Sequence, residues 1–170
     1  MKIEEAISAI AELPIPTQVV LPLLKEYKRP YDKINELVRQ GYLLQLRRGL
    51  YVAGPAIKAP HPERFLIANH LYGPSYVTGL SALSHWGMIP EKVSSITSAT
   101  VRKNKSYKTN LGLFEYHHLS HAAYIIGVEQ VQLTPRQTIL IATPAKAVCD
   151  LIVHTPGLQM RSGLQCRAYL

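Results

Sequence analysis

The sequence predicts an α+β protein in which a small helical unit with a hairpin precedes a mixed α/β unit. Three features indicate this class. Apolar residues recur with helical spacing from residue 3 to residue 40. An alternation of period two follows at once, and strand-like and helix-like runs are then interleaved. At 170 residues, the chain is long enough for one ordinary core or two small ones.

Two helices are predicted before residue 30. The first covers residues 3–12, where apolar residues recur every three or four positions, and the segment LPIP ends it. The second follows Thr17, a good N-cap, and covers QVVLPLLKEY. Its internal Pro22 is expected to lie in the first or second turn or to bend the helix.

The third helix, from Tyr31 to Gln40, is the best-defined element of the sequence. Ile34, Leu37 and Val38 lie on one side of it, and polar residues cover the others. Gly41 follows directly and suits the left-handed conformation in which many helices end.

A hairpin is predicted immediately after this helix. Its apolar residues alternate with period two and would share one buried face: Leu44, Leu46, Leu50 and Val52. The turn between the strands is Arg47-Arg48-Gly49, which puts two arginines at the tip. Three short helices followed by a hairpin is the order of a winged helix-turn-helix, which we therefore predict for residues 1–58.

The second unit is predicted to span residues 59–170. The segment GPAIKAPHPE has three prolines in ten residues, which favours a connector with the boundary near residue 58. Helices are predicted for residues 62–72, for LSALSHWG and for AKAVCDLIVH, the last with Thr143 as N-cap and Pro144 as first residue. SYVTG, SITSATV, LGLFEYHHL and TILIA indicate strands, and RKNKSYKTN indicates a polar, solvated loop.

The charge of the chain favours a polyanionic partner. Its 19 Lys and Arg exceed 11 Asp and Glu, for a formal net charge of +8. Residues 25–58 hold eight of the basic residues against Glu26, Asp32 and Glu36, a local excess of five. Each phosphate that such a patch neutralises releases counterions, so strongly salt-dependent binding to DNA is expected.

The candidate DNA contacts lie in the third helix, in the turn before it and at the hairpin tip. They are Lys28, Arg29, Tyr31, Lys33, Asn35, Arg39, Gln40, Arg47 and Arg48. Base readout is assigned to Tyr31, Asn35, Arg39 and Gln40, and backbone or minor-groove contact to the two hairpin arginines. A second candidate contact with nucleic acid or a partner is the basic stretch of Arg102, Lys103, Lys105, Tyr107 and Lys108, whose tyrosine could stack on a base.

One alternative is that the first unit binds a partner protein instead of DNA. Winged helices also serve as protein-interaction modules, and an Arg-Arg-Gly turn can be an ordinary solvated turn. Asp32 and Glu36 favour this alternative, because carboxylates repel phosphate unless they accept from a cytosine amino group. The local excess of positive charge favours double-stranded DNA.

The segment HHLSH has the residue types of a metal site but not the spacing. On a strand, His117 and His118 point to opposite faces, and nearby residues do not complete a zinc ligand set with His121. We expect a polar strand end here, and no metal or other cofactor. His85, beside Trp86, is expected to be a packed helix histidine.

Catalysis is not expected. A metal-dependent nuclease needs clustered carboxylates, yet those of residues 61–170 are well separated along the chain. A cytosolic location is expected, without membrane contact, because no long apolar run occurs and glutamates stand where a signal peptide carries Lys or Arg. Cys149 and Cys166 have no disulfide or zinc pattern, so both are expected to be reduced.

The chain resembles the AbiEi-type antitoxins, which are transcriptional regulators of abortive-infection (type IV) toxin–antitoxin systems. INELVRQGYLLQLRRGLYVAG is similar to the family's recognition helix and wing, SYVTGLSALSHWGMIPE to its Tyr, Ser-Ala-Leu and Gly-hydrophobic segment, and IATPAKAVCDLI to its closing strand and helix. With FEYHHLS between them, these stretches span most of residues 31–153. Their order is a stronger signal than any one of them.

The resemblance implies a winged helix that represses its own operon and a C-terminal domain that helps to counteract a nucleotidyltransferase-like toxin. Carried over, the DNA-binding positions are the helix from Tyr31 to Gln40 and the wing residues Arg47 and Arg48. Ala145 stands in TPAKAV where family members often have Glu, so any role of that carboxylate is absent. The chain also stops at GLQMRSGLQCRAYL, where the family's domain usually continues, which implies a truncated second unit or one completed by another chain.

Overall fold

A computed structural model describes residues 2–90 and 93–157 and has an α+β architecture. Seven helices and two sheets lie within these residues. Contacts between Cα atoms divide the chain into two units, the first comprising residues up to Ile67 together with Leu133–Gln137. The second comprises Ala68–Gln132 and the described residues from Thr138 onward. The sequence places a boundary near residue 58, whereas contacts of the first unit continue to Ile67.

The first unit begins with three helices, α1 (Ile3–Ala9), α2 (Thr17–Leu23) and α3 (Pro30–Arg39). The existence of all three agrees with the sequence pattern. Thr17, however, is not the N-cap of α2: Pro16 occupies that position in an extended conformation, without a side-chain cap hydrogen bond. The prediction was wrong by one residue because the chain leaves the preceding extended segment directly at Thr17.

The first two helices are shorter than their apolar patterns predict. After α2, the N–H groups of Leu24 and Tyr27 donate to carbonyls three residues earlier, so tight turns replace further α-helical hydrogen bonds. Pro22, which lacks an N–H, is the sixth of the seven residues of α2 and lies in its second turn, as the sequence predicts. At the end of α3, Gly41 has φ of +77°, which confirms the expected left-handed stop.

The first unit also contains a three-stranded antiparallel sheet. Its strands are β1 (Ile15–Pro16), β2 (Leu43–Arg47) and β3 (Leu50–Ala53), in the order β1-β3-β2. The hairpin of β2 and β3 was predicted, but β1 was not, because LPIP indicates only the end of a helix. Tertiary pairing with Tyr51 and Leu50 makes this two-residue segment a strand.

A register shift changes the buried face that the period-two pattern predicts. The shift lies between Gln45 and Arg47, and such an irregularity reverses the phase of alternation along a strand. Leu43 is therefore buried and Leu44 only half-buried, so the expectation that Leu44 belongs to the core face is corrected. Leu46 is also buried, as predicted.

One apolar cluster joins the three helices to this sheet. Its buried members are Ile7, Ala11, Ile15, Val20, Leu24, Ile34, Leu37, Leu43, Tyr51, Ala53 and Ile57. Tyr51 and Ala53 belong to β3, whose four residues are all buried because it is the central strand. Ile34 and Leu37 belong to α3. Because these two residues are buried in the cluster, the opposite side of α3 faces away from the core.

The remaining strands form a six-stranded mixed sheet in the order β6-β7-β5-β4-β9-β8. They are β4 (Ser75–Val77), β5 (Ile96–Thr100), β6 (Lys105–Thr109), β7 (Gly112–His118), β8 (Val128–Thr134) and β9 (Gln137–Ala142). β4 pairs antiparallel with β5 and parallel with β9, and β5 pairs parallel with β7. The helices are α4 (Arg64–Leu71), α5 (Gly79–His85), α6 (His121–Tyr124) and α7 (Pro144–His154).

The sequence pattern missed three of these elements: β6, β8 and α6. The stretch RKNKSYKTN, expected to be a loop, contains β6, which pairs antiparallel with β7. This strand is polar because it lies at the edge of the sheet, where Lys105 and Lys108 are exposed. The predicted start of α7 is confirmed, since the Thr143 side chain accepts a hydrogen bond from the Lys146 N–H and Pro144 is the first helical residue.

A buried polar cluster joins α7 to β4. The side chain of Asp150 is only 2% exposed. Its Oδ1 lies 2.9 Å from Lys146 Nζ, and its Oδ2 accepts hydrogen bonds from the Tyr76 and Thr78 hydroxyls at 2.9 and 2.7 Å. Lys146 also donates to the carbonyl of Ala123. Both carboxylate oxygens therefore have partners, as burial of a charge requires.

Candidate nucleic-acid interface

The exposed face of α3 carries three polar or aromatic side chains in one row. Tyr31, Asn35 and Arg39 are spaced by four residues, which brings them onto the same side of the helix. Ile34 and Leu37 are buried in the core on the other side. Tyr31 is 62% exposed although it is a large aromatic residue. This row is exposed and can therefore meet a macromolecule.

A shallow groove of about 500 Å³ lies beside this row, between α3 and the turn before it, and shares only Arg39 with the row. The groove is lined by Tyr27, Lys28, Arg29, Asp32, Lys33, Glu36 and Arg39. Arg29 Nη1 lies 3.7 Å from Asp32 Oδ2, but both side chains are more than 60% exposed. An ion pair of that kind holds a side chain only weakly, so Arg29 is available to another anion.

Two of the candidate contacts are already engaged with a carboxylate on the same helix. Lys33 Nζ and Gln40 Nε2 donate to Glu36 Oε1 at 2.9 and 3.0 Å. The hydrogen bond from Lys33 lowers the pKa of Glu36, and the same bond raises the pKa of Lys33. The ammonium of Lys33 also lies 5.3 Å from the centroid of the Tyr27 ring. Lys33 and Gln40 are thus directed at Glu36 instead of joining the row of Tyr31, Asn35 and Arg39.

The two hairpin arginines lie at the end of the sheet of the first unit. Arg47 is the last residue of β2 and Arg48 belongs to the turn, and both are exposed. Arg47 Nη1 donates to the Arg48 carbonyl at 3.0 Å. Gly49 has φ of +84°, a conformation that side-chain-bearing residues rarely adopt, and its carbonyl accepts from the Thr17 N–H at 3.0 Å. The turn is therefore fixed to the start of α2.

The second basic stretch combines exposed charges with packed tyrosines. Lys105 and Lys108 are exposed on β6, and Arg102 and Lys103 are exposed in the turn before it. The Arg102 guanidinium lies 4.6 Å from the centroid of the Tyr72 ring. The Tyr107 ring contacts the Tyr72 and Tyr116 rings, with centroids 6.0 and 6.1 Å away. Tyr107 is thus part of an aromatic cluster rather than an isolated ring offered to a base.

The three histidines of HHLSH occupy different surroundings. His118 is exposed, and its Nδ1 lies 3.1 Å from the Arg102 carbonyl oxygen. His121 is the exposed first residue of α6, whereas His117 is half-buried and stacks on His154 with ring centroids 4.9 Å apart. Within residues 2–90 and 93–157, no group of three or more His, Cys, Asp or Glu side chains is arranged to hold a metal ion.

Other candidate residues have local roles. His85 packs edge-on against Trp86 at 5.0 Å, and burial lowers its pKa. Trp86 donates from Nε1 to the Ala142 carbonyl. Cys149 is a free, exposed cysteine on α7. Cys166 and the chain end to which the expected truncation refers lie outside the described residues.

The sequence analysis missed one residue of the candidate interface and one pair of histidines elsewhere in the chain. Tyr27 lines the groove beside α3, and its position among basic residues in KEYKRP was the available signal. The pair of His117 and His154 could not be recognised from the sequence, because 36 residues separate the two along the chain.

No protein-family model matches the chain, and no curated protein matches it. Among the described helices, none has the length and apolar character needed to cross a membrane.

Proposed function

We propose that this protein is a DNA-binding autorepressor that acts as the antitoxin of a type IV toxin–antitoxin system. The observation that carries the DNA-binding part is the exposed row of Tyr31, Asn35 and Arg39 on α3, in the same unit as the exposed Arg47 and Arg48. Aromatic, amide and guanidinium groups are suited to reading bases, and arginines at a hairpin tip to contacting the backbone or minor groove.

The order of elements in the first unit supports a winged helix-turn-helix. After α1 and β1, the helices α2 and α3 are followed by the hairpin of β2 and β3, and β1 joins that hairpin as a third strand. In helix-turn-helix proteins the second helix of the pair lies in the major groove, and a neighbouring element contacts the backbone. In this proposal α3 is the recognition helix and the β2–β3 hairpin is the wing.

Electrostatics supports DNA over an acidic protein surface. Residues 25–58 have an excess of five positive charges. Glu36, which could repel phosphate, is compensated by its hydrogen bonds with Lys33 and Gln40. Because counterion release increases with the number of phosphates neutralised, the surface favours a polyphosphate backbone even before a base is read.

The antitoxin part of the proposal is inferred from the resemblance to AbiEi-type antitoxins. According to this part of the proposal, the second unit helps to counteract a nucleotidyltransferase-like toxin encoded beside this gene, and the protein acts in the cytoplasm. No catalytic activity is assigned to the chain. Direct contact with the toxin is not required, because repression of the operon would itself lower the amount of toxin.

The DNA-binding part is tested by titrating the purified full chain against duplex DNA from upstream of its own gene. A random duplex of equal length and composition is the reference, and affinities are measured at several salt concentrations. We expect operator DNA to bind at least about 10³-fold more tightly than the random duplex. Arg39→Ala should reduce that ratio, and Arg136→Ala, a matched loss of an exposed arginine outside α3 and the hairpin, should not. Equal affinity for both duplexes would favour the protein-interaction alternative.

The antitoxin part is tested separately by growth. Cells that express the neighbouring nucleotidyltransferase-like gene from an unrelated promoter are compared with and without this chain. Restored growth supports neutralisation beyond repression, because the toxin promoter is no longer under operator control. If growth is not restored although operator binding is intact, the protein is a repressor that does not neutralise the toxin in any other way.

A further inference from the structure

A half-enclosed cavity of about 140 Å³ lies within the second unit. Its polar wall is formed by Thr78, Thr97, His117, Asp150, His154 and Thr155. Pockets for drug-sized ligands start at about 300 Å³. This cavity is therefore the size of a small ion or of one chemical group of a larger molecule. It belongs to neither the row on α3 nor the basic stretch of β6.

Two imidazole rings are the most distinctive part of the wall. His117 and His154 stack with centroids 4.9 Å apart and an interplanar angle of 24°. His154 Nε2 is buried and has no hydrogen-bond partner within the described part of the chain. A buried polar atom of a folded protein normally has a partner. Because Nε2 itself is not accessible to solvent, a ligand in the cavity could bond to it only after a small rotation of the His154 ring, and would then supply the partner that the described chain lacks.

Asp150 does not offer a ligand atom to a cation in this cavity. Its two oxygens already interact with Lys146, Tyr76 and Thr78. A metal ion entering the cavity would therefore find mainly the two imidazoles, whereas stable zinc sites use three or four protein ligands. An anion, in contrast, meets imidazole N–H groups and the hydroxyl groups of Thr97 and Thr155, and the negative charge of Asp150 in the wall is compensated by Lys146.

Binding of an anion beside this histidine pair would be coupled to proton uptake, because the His154 ring is held in the neutral form when the cavity is empty. Burial and the neighbouring His117 lower the pKa of His154, and Lys146 and His118 act in the same direction. Asp150 acts in the opposite direction but does not cancel these effects. The empty cavity thus resists an imidazolium, and a negative ligand beside the rings would stabilise it.

We propose that the cavity binds a small oxyanion of the phosphate class, held by the imidazoles of His117 and His154 and by hydroxyl groups of the cavity wall. The anion is either free phosphate or the terminal phosphate of a larger molecule, whose remainder would stay outside a cavity of this volume. This binding site is independent of DNA recognition by the first unit. It adds a ligand-binding function to the second unit.

The test is a histidine-resolved NMR titration of the full chain with inorganic phosphate at about pH 6, where an ordinary histidine is largely protonated. We expect saturable shifts of the His117 and His154 ring signals, and a His154 pKa that rises when phosphate is present. Phosphate affinity should fall as the pH is raised through about 7, because neutral rings donate fewer hydrogen bonds to an anion. The His154 pKa is measured on the wild-type chain, so this result does not depend on whether a variant folds.

Three variants localise the site. His154→Gln and His117→Gln should each weaken phosphate binding by about tenfold or more, the loss expected for one charge-assisted hydrogen bond. His121→Gln, which changes an exposed histidine outside the cavity wall, should bind phosphate as the wild type does. Thermal melts check that each variant is folded.

A nucleoside monophosphate distinguishes the two sources of phosphate. Tighter binding than inorganic phosphate would assign the site to the phosphate group of a larger molecule, and equal or weaker binding to the free ion. The proposal is overturned if phosphate causes no saturable shift, or if folded His117→Gln and His154→Gln variants bind it unchanged. It is also overturned if Zn²⁺ perturbs both rings stoichiometrically while phosphate does not.

Discussion

Lys33 and Glu36 are one turn apart on α3, and Lys33 Nζ donates to Glu36 Oε1 at 2.9 Å. The pair occupies the edge of the proposed recognition helix, where an unpaired carboxylate would repel a phosphate. Glu36 thus holds the Lys33 ammonium away from DNA, and the same ammonium compensates the negative charge of Glu36. Its removal is the simplest change that should strengthen DNA binding.

Glu36→Gln is expected to bind operator and random DNA more tightly than the wild type. The substitution removes one negative charge and frees the Lys33 ammonium for a phosphate. The salt slope, meaning the slope of the logarithm of the binding constant against the logarithm of the salt concentration, should therefore become steeper by about 0.9. DNA affinity at several salt concentrations measures both effects. Glu129→Gln makes the same change of net charge at an exposed site on β8 and is the control. An equal gain in both variants would mean that net charge, and not the position on α3, is responsible.

Replacing both hairpin arginines, Arg47→Ala with Arg48→Ala, is expected to weaken binding to all duplexes. Both residues are exposed, so folding should be nearly unchanged. The salt slope should fall by roughly one to two units, at about 0.9 for each phosphate that is no longer neutralised. Thermal melts and affinities for operator and random DNA at several salt concentrations check this. A folded double variant with unchanged affinity and slope would mean that the hairpin faces a protein.

Asn35→Ala is expected to relax sequence preference. An amide that contacts a base contributes about 1 to 3 kcal/mol of discrimination, whereas affinity for random duplex should change little. The measured quantity is the ratio of operator to random-DNA affinity. Gln45→Ala, which changes an exposed residue on β2, is the comparison. If Asn35→Ala lowers both affinities equally, Asn35 contacts the backbone instead of a base.

The local elements of the first unit could be predicted because short-range signals determine them. The apolar face of α3 and the stop at Gly41 are visible in a window of about ten residues, and the structure has both. β1 and the register shift could not be predicted in the same way. The first depends on pairing with Tyr51, and the second on how β2 fits against β3. Such tertiary interactions leave no periodic pattern in the sequence.

The candidate interface was accessible to sequence reasoning only as a set of residue types. The basic residues and the helix that carries them were recognised from charge and spacing. Their partners were not: the hydrogen bonds of Lys33 and Gln40 to Glu36 depend on rotamers. The buried partners of Asp150 could not be predicted, because Tyr76 and Thr78 are more than 70 residues away along the chain. For the same reason, the cavity beside His154 could not be foreseen.

Asp150→Ala is expected to destabilise the fold strongly. The change leaves Lys146, whose side chain is 10% exposed, without its carboxylate, and leaves the Tyr76 and Thr78 hydroxyls without their acceptor. Breaking a buried ion pair by removing one partner costs about 3 to 5 kcal/mol. Urea unfolding measures the loss, and Glu129→Ala, an exposed carboxylate on β8, should change stability by less than about 0.5 kcal/mol. A loss below about 1 kcal/mol would show that water replaces the carboxylate.

The stability of the protein is expected to decrease as the pH falls below about 6.5, with His154 as one cause. Burial, together with the neighbouring His117, lowers the pKa of His154 from its ordinary value of 6.5. In the unfolded chain the ordinary pKa returns, so between the two values the unfolded state binds more protons than the folded state. The free energy of unfolding therefore rises with pH through this range and decreases as the pH falls from about 6.5 toward the lower, folded-state pKa.

Urea unfolding of the wild type and of His154→Gln, at a series of pH values without phosphate, isolates this contribution. Glutamine does not titrate, so the variant should lose less stability on acidification than the wild type. His121→Gln removes an exposed histidine from α6 and should keep the wild-type slope. His85, whose pKa is also lowered by burial, leaves a residual slope in both variants. Equal slopes in the wild type and in His154→Gln would mean that His154 protonates as readily in the folded chain as in the unfolded one.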